Sequence, residues 1–225
     1  MNATSHHRST RDRPAKTPLS EDAVVDAALA ILKSEGLEAV TMRRVAAALD
    51  TGAASLYVYV PGREGLLHAM QDRITAAIEL EPPDPARWRA QLHLLLERMH
   101  RALAAHPGIA ATAMADPPTT EAALRLTENL LGILLAGGLD PQDAAWGADI
   151  FALLVTYAAI EDDVRPAGHA ELAAELYTTF AGLPPDRFPL IAAHAAQLVA
   201  GDSDERFRFA IDVVLDGMLA RAGRQ

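Results

Sequence analysis

Apolar residues recur every three to four positions through most of this chain, and no convincing period-two alternation marks a strand. The pattern predicts an all-α protein. Ser20 followed by Glu21 and Asp22 reads as a helix N-cap with acids in the first turn, where they complement the helix dipole. Val24, Ala28, Leu29 and Leu32 continue that helix as an apolar stripe, and Gly36 stops it. Two short helices follow near 41–48 and 53–59, separated by Leu-Asp-Thr-Gly. Pro61-Gly62 breaks the chain before a fourth helix that carries Leu66, Met70, Ile74 and Ile78 at four-residue spacing. After Glu-Pro-Pro-Asp-Pro at 81–85, helices are predicted near 86–105, 108–115, 119–136, 141–161, 168–181, 187–200 and 203–221. Asp140-Pro141 supplies an N-cap and a proline at the first helical position. There is no internal repeat.

At 225 residues the chain fits one large or two modest domains with a substantial core. No run approaches the roughly 20 consecutive apolar residues of a membrane span, and the polar start MNATSHHRSTRDRPAKTP lacks a secretory apolar segment. The absence of cysteine excludes disulfides and thiolate chemistry. A cytoplasmic protein without a membrane partner is expected. The net charge of −10 divides unevenly. Residues 1–73 hold nine of the 20 Lys/Arg and nine of the 30 Asp/Glu, so the remaining eleven and twenty-one account for the whole imbalance. Acid downstream would repel a nucleic acid, so only the first part of the chain is expected to meet one.

Residues 40–67, VTMRRVAAALDTGAASLYVYVPGREGLL, carry the chemistry. Thr41 is an N-cap for a helix that turns Val45, Ala46 and Leu49 inward. Arg43 and Arg44 then sit in its first turn, against the macrodipole, at a cost of about 0.3–1 kcal/mol each when exposed. A phosphate would offset that cost, and Arg43 could instead reach a guanine edge with its two-pronged donor. The next helix opens with Ala53, Ala54 and Ser55, small enough for its N-terminus to approach base edges. Leu56 should plug it against the preceding helix, while Tyr57 and Tyr59 present phenols to the backbone on either side of a groove. Two helices joined this way make a helix-turn-helix, the second entering the major groove of duplex DNA.

The order and spacing of Thr41, Val45-Ala46, Leu49, Ser55-Leu56-Tyr57-x-Tyr59-Val60 and Arg63-x-x-Leu66 resemble the tetracycline-repressor (TetR) family of bacterial regulators over about 50 residues. Asp50 replaces that family's turn glycine, Gly52 a residue that is often polar, Tyr59 its histidine and Arg63 its lysine. Thr41, Arg43, Arg44, Ala53, Ala54, Ser55, Tyr57, Tyr59 and Arg63 are therefore the expected DNA contacts. Arg43 is expected to set sequence preference, and Arg63 to strengthen binding to all sequences alike. The downstream stretches HPGIAATAMADPPTTEAALRLTENLLGILLAGGLDPQDAA and DERFRFAIDVVLDGML look like the family's tetracycline-repressor-type C-terminal subgroup.

The resemblance implies three parts: a basic arm at 1–19, a DNA-binding domain at 20–66, and a ligand-binding and dimerisation domain at 67–225. The leader's Arg8, Arg11, Arg13 and Lys16 could reach a groove or merely solubilise the chain; His6-His7 is too short for a metal site. Pocket candidates are His68 on the fourth helix and Trp88, Leu92, Leu96, Met99 and His100 on the fifth. Leu130 and Leu134 on the seventh join them, as do Trp146, Phe151 and Tyr157 on the eighth. Phe207, Ile211, Val214, Leu215 and Met218 form a stripe on the last helix that, with the 141–161 helix, is expected to build the homodimer interface. Paired heads would read a palindromic operator and be released by a small hydrophobic inducer, with the fourth helix carrying the coupling. No cofactor or metal is expected. His106 begins the loop where tetracycline repressors hold a metal–drug chelate, but Thr112 or Ala113 occupies the later position, which argues against a chelated tetracycline.

Enzyme signatures are missing: no Gly-x-Ser-x-Gly, no His-Glu-x-x-His, no phosphate-cradling glycine loop and no cysteine nucleophile. The remaining rival is a helical small-molecule or protein-binding module whose DNA head is degenerate, suggested by Asp50 and Gly52.

Overall fold

The computed structural model describes residues 18–113, 119–164 and 169–223; the basic leader, with its four cations and His6-His7, lies outside them. The described residues form twelve α-helices and one 3-10 turn, with no strand among them. α1 (Glu21–Glu35), the turn Leu37–Ala39, α2 (Met42–Ala48) and α3 (Ala53–Leu56) make a small head. α4 (Gly62–Ala76) leads out of it into α5 (Trp88–Ala104), α6 (Ala110–Ala113), α7 (Glu121–Ala136) and α8 (Pro141–Val164). The chain closes with α9 (His169–Ala181), α10 (Pro189–Ala193), α11 (Ala195–Leu198) and α12 (Ser203–Ala222).

The caps form as the sequence predicts. The Ser20 hydroxyl accepts the Ala23 N–H at 3.1 Å, and Thr41 accepts that of Arg44 at 3.1 Å. Asp140 accepts the N–H groups of Asp143 and Gln142, which hold its carboxyl below the ordinary range. Asp202 and Glu205, which the sequence reading did not single out, form a reciprocal capping box at the start of α12. Two elements are shorter than predicted. α3 stops at Leu56, and residues 57–60 turn instead, because the chain must leave the helical region ahead of Pro61. The helix predicted at 187–200 is two short pieces that meet at His194.

Two apolar cores organise the chain. The first gathers Val24, Ala28 and Leu32 of α1, Val45 and Ala46 of α2, Leu56 of α3 and Leu66, Met70 and Ile74 of α4. Leu19, predicted to belong to the arm, packs against this core, as the residue before an N-cap often does. Ile109, from beyond α5, is fully buried in it. The second core joins α5, α7, α8 and α12 through Leu92, Leu96, Leu134, Phe151, Ile211 and Leu215. α8 is long and apolar enough to cross a bilayer by composition alone, yet it packs on α5, α7 and α12 as a core helix does. A Cβ on its Gly147 would meet the end of the Met218 side chain, a flexible neighbour that would have to swing aside.

Candidate nucleic-acid interface and sensor core

The connection from α2 to α3 is a sound helix stop and a fresh start. Asp50 adopts φ 50°, the Asp50 N–H donates to Ala47 O at 3.2 Å, and the Thr51 N–H reaches back to Ala46 O at 2.9 Å. These two bonds are the Schellman pattern, in which aspartate takes the left-handed position usually held by glycine. Gly52 is the N-cap of α3 at φ −84°, with open space where a Cβ would stand, so nothing in the backbone requires glycine there.

Packing Leu56 inward leaves a polar outer surface. Arg43, Ala54, Ser55 and Tyr57 are exposed, and Tyr57 shows 59 % of its surface. Arg43 has no hydrogen-bond or ion-pair partner among the described residues, whereas Arg44 is committed. Its guanidinium holds Glu35 at the end of α1 with two bonds, 2.5 Å from Nη2 and 3.2 Å from Nε. The hydrogen bond and charge of Glu35 push the Arg44 pKa further above its ordinary value. Arg63 is also occupied, since it donates to the carbonyls of Val40 at 3.0 Å and Leu37 at 3.3 Å. It therefore braces the turn that delivers Thr41 to α2. Ala53 and Tyr59 are half-buried against the head core. Sequence reasoning passed over Glu35, and also Val58, an apolar side chain 82 % exposed beside Tyr57. A β-branched residue flanked by two tyrosines in the reading segment was the available signal.

Most of the predicted sensor residues converge. Leu92, Leu96, Met99, His100, Leu130, Leu134 and Phe151 are buried together in the second core. Trp88 lies flat against the end of α7, its ring 2.5 Å from where a Cβ on Gly137 would stand, and His68 is half-buried on α4. His100 Nε2 lies 2.9 Å from Asp162 Oδ2, outside hydrogen-bond alignment, and its ring sits 5.0 Å from Phe207. The neighbouring Asp163 accepts the Gly108 N–H at 2.7 Å; burial pushes its carboxyl up, which that N–H opposes. Trp146 and Tyr157 do not join this cluster; on α8 they are 59 % and 66 % exposed. None of the eleven predicted pocket residues lines either of two clefts, one of about 540 Å³ between α1, α4 and α5, the other of about 550 Å³ beside α7.

The last helix requires a correction. Phe207, Ile211, Leu215 and Met218, predicted for the dimer interface, are buried in the chain's own second core, and Val214 is half-buried. α12 has two apolar stripes, and its own subunit takes the one assigned to the partner. The stripe left outside carries Phe209, 70 % exposed, and Val213. Trp146, Ile150, Leu153 and Tyr157 form a matching exposed row on α8 at spacings of four, three and four. α9 also leaves Leu176 and Tyr177 exposed.

A compact helix-turn-helix joined to a larger helical bundle defines a DNA-binding regulator of transcription with a sensor domain. Comparison with known proteins agrees. Residues 24–70 match the model for bacterial regulatory proteins of the tetR family, and residues 81–222 match the tetracyclin repressor-like C-terminal domain. This chain belongs to the TetR family, whose members are transcriptional regulators that bind DNA and small molecules and are dimers. The solved structure of ActR from Streptomyces coelicolor in complex with actinorhodin is 35 % identical, with a TM-score of 0.86 over 92 % of this chain and 100 % of that one. Apo ActR gives 34 % and 0.84 at the same coverage. The transcriptional repressor DrrR1 of Streptomyces coeruleorubidus is 38 % identical over 139 residues, 59 % of this chain and 51 % of its own, so that match spans about half the relative's length. A transcriptional regulator of Saccharopolyspora erythraea is 26 % identical over 96 % of this chain and 91 % of its own.

Proposed function

We propose that the protein is a homodimeric repressor that occupies a palindromic operator and is released by a small, largely apolar inducer. The observation that carries this reading is the head's outer surface, where unpartnered Arg43 stands with Ser55 and Tyr57 around a properly closed turn. In it Arg43 reads a base edge, Thr41, Ser55 and Tyr57 hold phosphates, and Ala54 and Val58 offer apolar contact to thymine methyls or sugars. Arg44 and Arg63 position the head, the first through Glu35 and the second through the Leu37 and Val40 carbonyls. The exposed rows of α8 and α12 pair with a second copy and set the two heads about one DNA turn apart, ~34–36 Å. Seven of the predicted sensor residues line the site that the inducer would open within the second core, and the likeness to a relative solved in complex with actinorhodin supports a small-molecule ligand.

Selection of bound duplexes from a random pool tests this reading. Two inverted half-sites about one helical turn apart are expected. Single half-sites, or no enrichment, would reject the paired reading head.

A further inference from the structure

The cleft of about 540 Å³ at the seam between head and sensor shares no lining residue with the DNA-reading residues or the predicted sensor residues. It is an open groove, so a small organic molecule seated there stays partly in solvent. The floor is apolar, with Leu29 of α1, Ile74 of α4 and Ile78 just beyond. The rim carries Arg73, Arg98 and Arg101 together with Glu79, and most of that charge is paired. Arg73 is paired across the seam with Asp22 and Asp26, which ties α4 to α1, and Arg98 is shared between Glu79 and Glu81 at 3.0 and 3.1 Å.

Arg101 differs from these. Its Nε donates to the Glu97 carbonyl at 3.2 Å, and neither terminal nitrogen has a partner among the described residues. Beside it, His106 Nδ1 lies 2.8 Å from the Ala102 carbonyl, which can only accept, so Nδ1 carries the proton and Nε2 of the neutral ring is an acceptor, which leaves Arg101 as the donor for an anion. An exposed guanidinium without a carboxylate, above an apolar floor, matches a molecule with a hydrophobic body and one anionic group.

We propose that this cleft is a second small-molecule site, separate from the sensor core, that takes an amphipathic organic anion with Arg101 as its anchoring cation. A molecule seated there touches α1 of the head and α5 of the sensor at once, so it bears on the angle between them. Calorimetric titration of the full chain with 2-naphthoate, and with neutral 2-naphthalenemethanol as comparison, tests the assignment. Saturable binding of the carboxylate is expected, about tenfold tighter than the alcohol, from a charge-assisted hydrogen bond. Arg101→Gln removes that advantage. Ala77→Trp, at an exposed position on the cleft wall, fills the space and abolishes binding of both compounds. Unchanged naphthoate affinity in either folded variant, or no saturable binding at millimolar probe, overturns the proposal.

Discussion

The outer face of the head and the outer face of the bundle are built on the same helical repeat but differ in what they show to solvent. α2, α3 and the turn after it expose Arg43, Ala54, Ser55 and Tyr57, which are small or hydrogen-bonding, with Val58 as the apolar exception. α8 and α12 expose Trp146, Ile150, Leu153, Tyr157, Phe209 and Val213, which are large and apolar. The first surface suits a hydrated, charged polymer whose phosphates supply the attraction. The second is stable in water only when covered, and its heptad-like spacing suits another helix pair. Two partners of opposite character are thus written on one chain, and each can be removed separately.

The largest effect is expected from the apolar face. Leu153→Arg should split the dimer and weaken operator binding by about 100-fold or more, because a second tethered head supplies that much avidity. Sedimentation and DNA titration would check it. Leu215→Ala, on the opposite stripe, should instead cost about 2–5 kcal/mol of unfolding free energy through a core cavity. If Leu215→Ala dissociated subunits without loss of stability, the two stripes of α12 would be wrongly assigned. On the polar face, Arg43→Ala should cost about 1–3 kcal/mol against the preferred base and flatten the difference between operators. Arg63→Ala should show in thermal melts of the head, because two backbone carbonyls lose their donor. Smaller again, Glu35→Gln frees Arg44 and removes a carboxylate from the head, so binding to all duplexes should rise several-fold with a steeper salt dependence. Gly52→Ser should add only a few tenths of a kcal/mol by supplying the missing cap of α3.

The head was readable in the sequence because its features are local. Ser20 and Thr41 each cap the helix directly after them, as Asp140 does in the bundle, and Leu56 plugs a helix too short to have any other anchor. Asp50, a departure from the family's turn glycine, holds the left-handed φ that aspartate accepts, so the turn survives it. Contacts between distant segments were not readable. Arg44 finds Glu35 nine residues back across a turn, Arg63 bonds to backbone carbonyls that no side-chain pattern reveals, and Ile109 enters the head core from beyond α5. α12 shows a different limit: it carries two apolar stripes, but a helical repeat carries no mark of whether a stripe meets its own chain or a second copy. The same ambiguity placed Trp146 and Tyr157 in the sensor, although they stand outside with Ile150 and Leu153.

The most direct test of DNA reading by the head is titration of a selected duplex, monitored by anisotropy, from about 50 to 200 mM salt. The account predicts a linear fall of log affinity with log salt, amounting to roughly a thousandfold or more for two heads that together contact about six or more phosphates. The specific duplex should lose its advantage over a scrambled one in Arg43→Ala. Binding that ignores salt, or no binding to any duplex at the low end of that range, would contradict it.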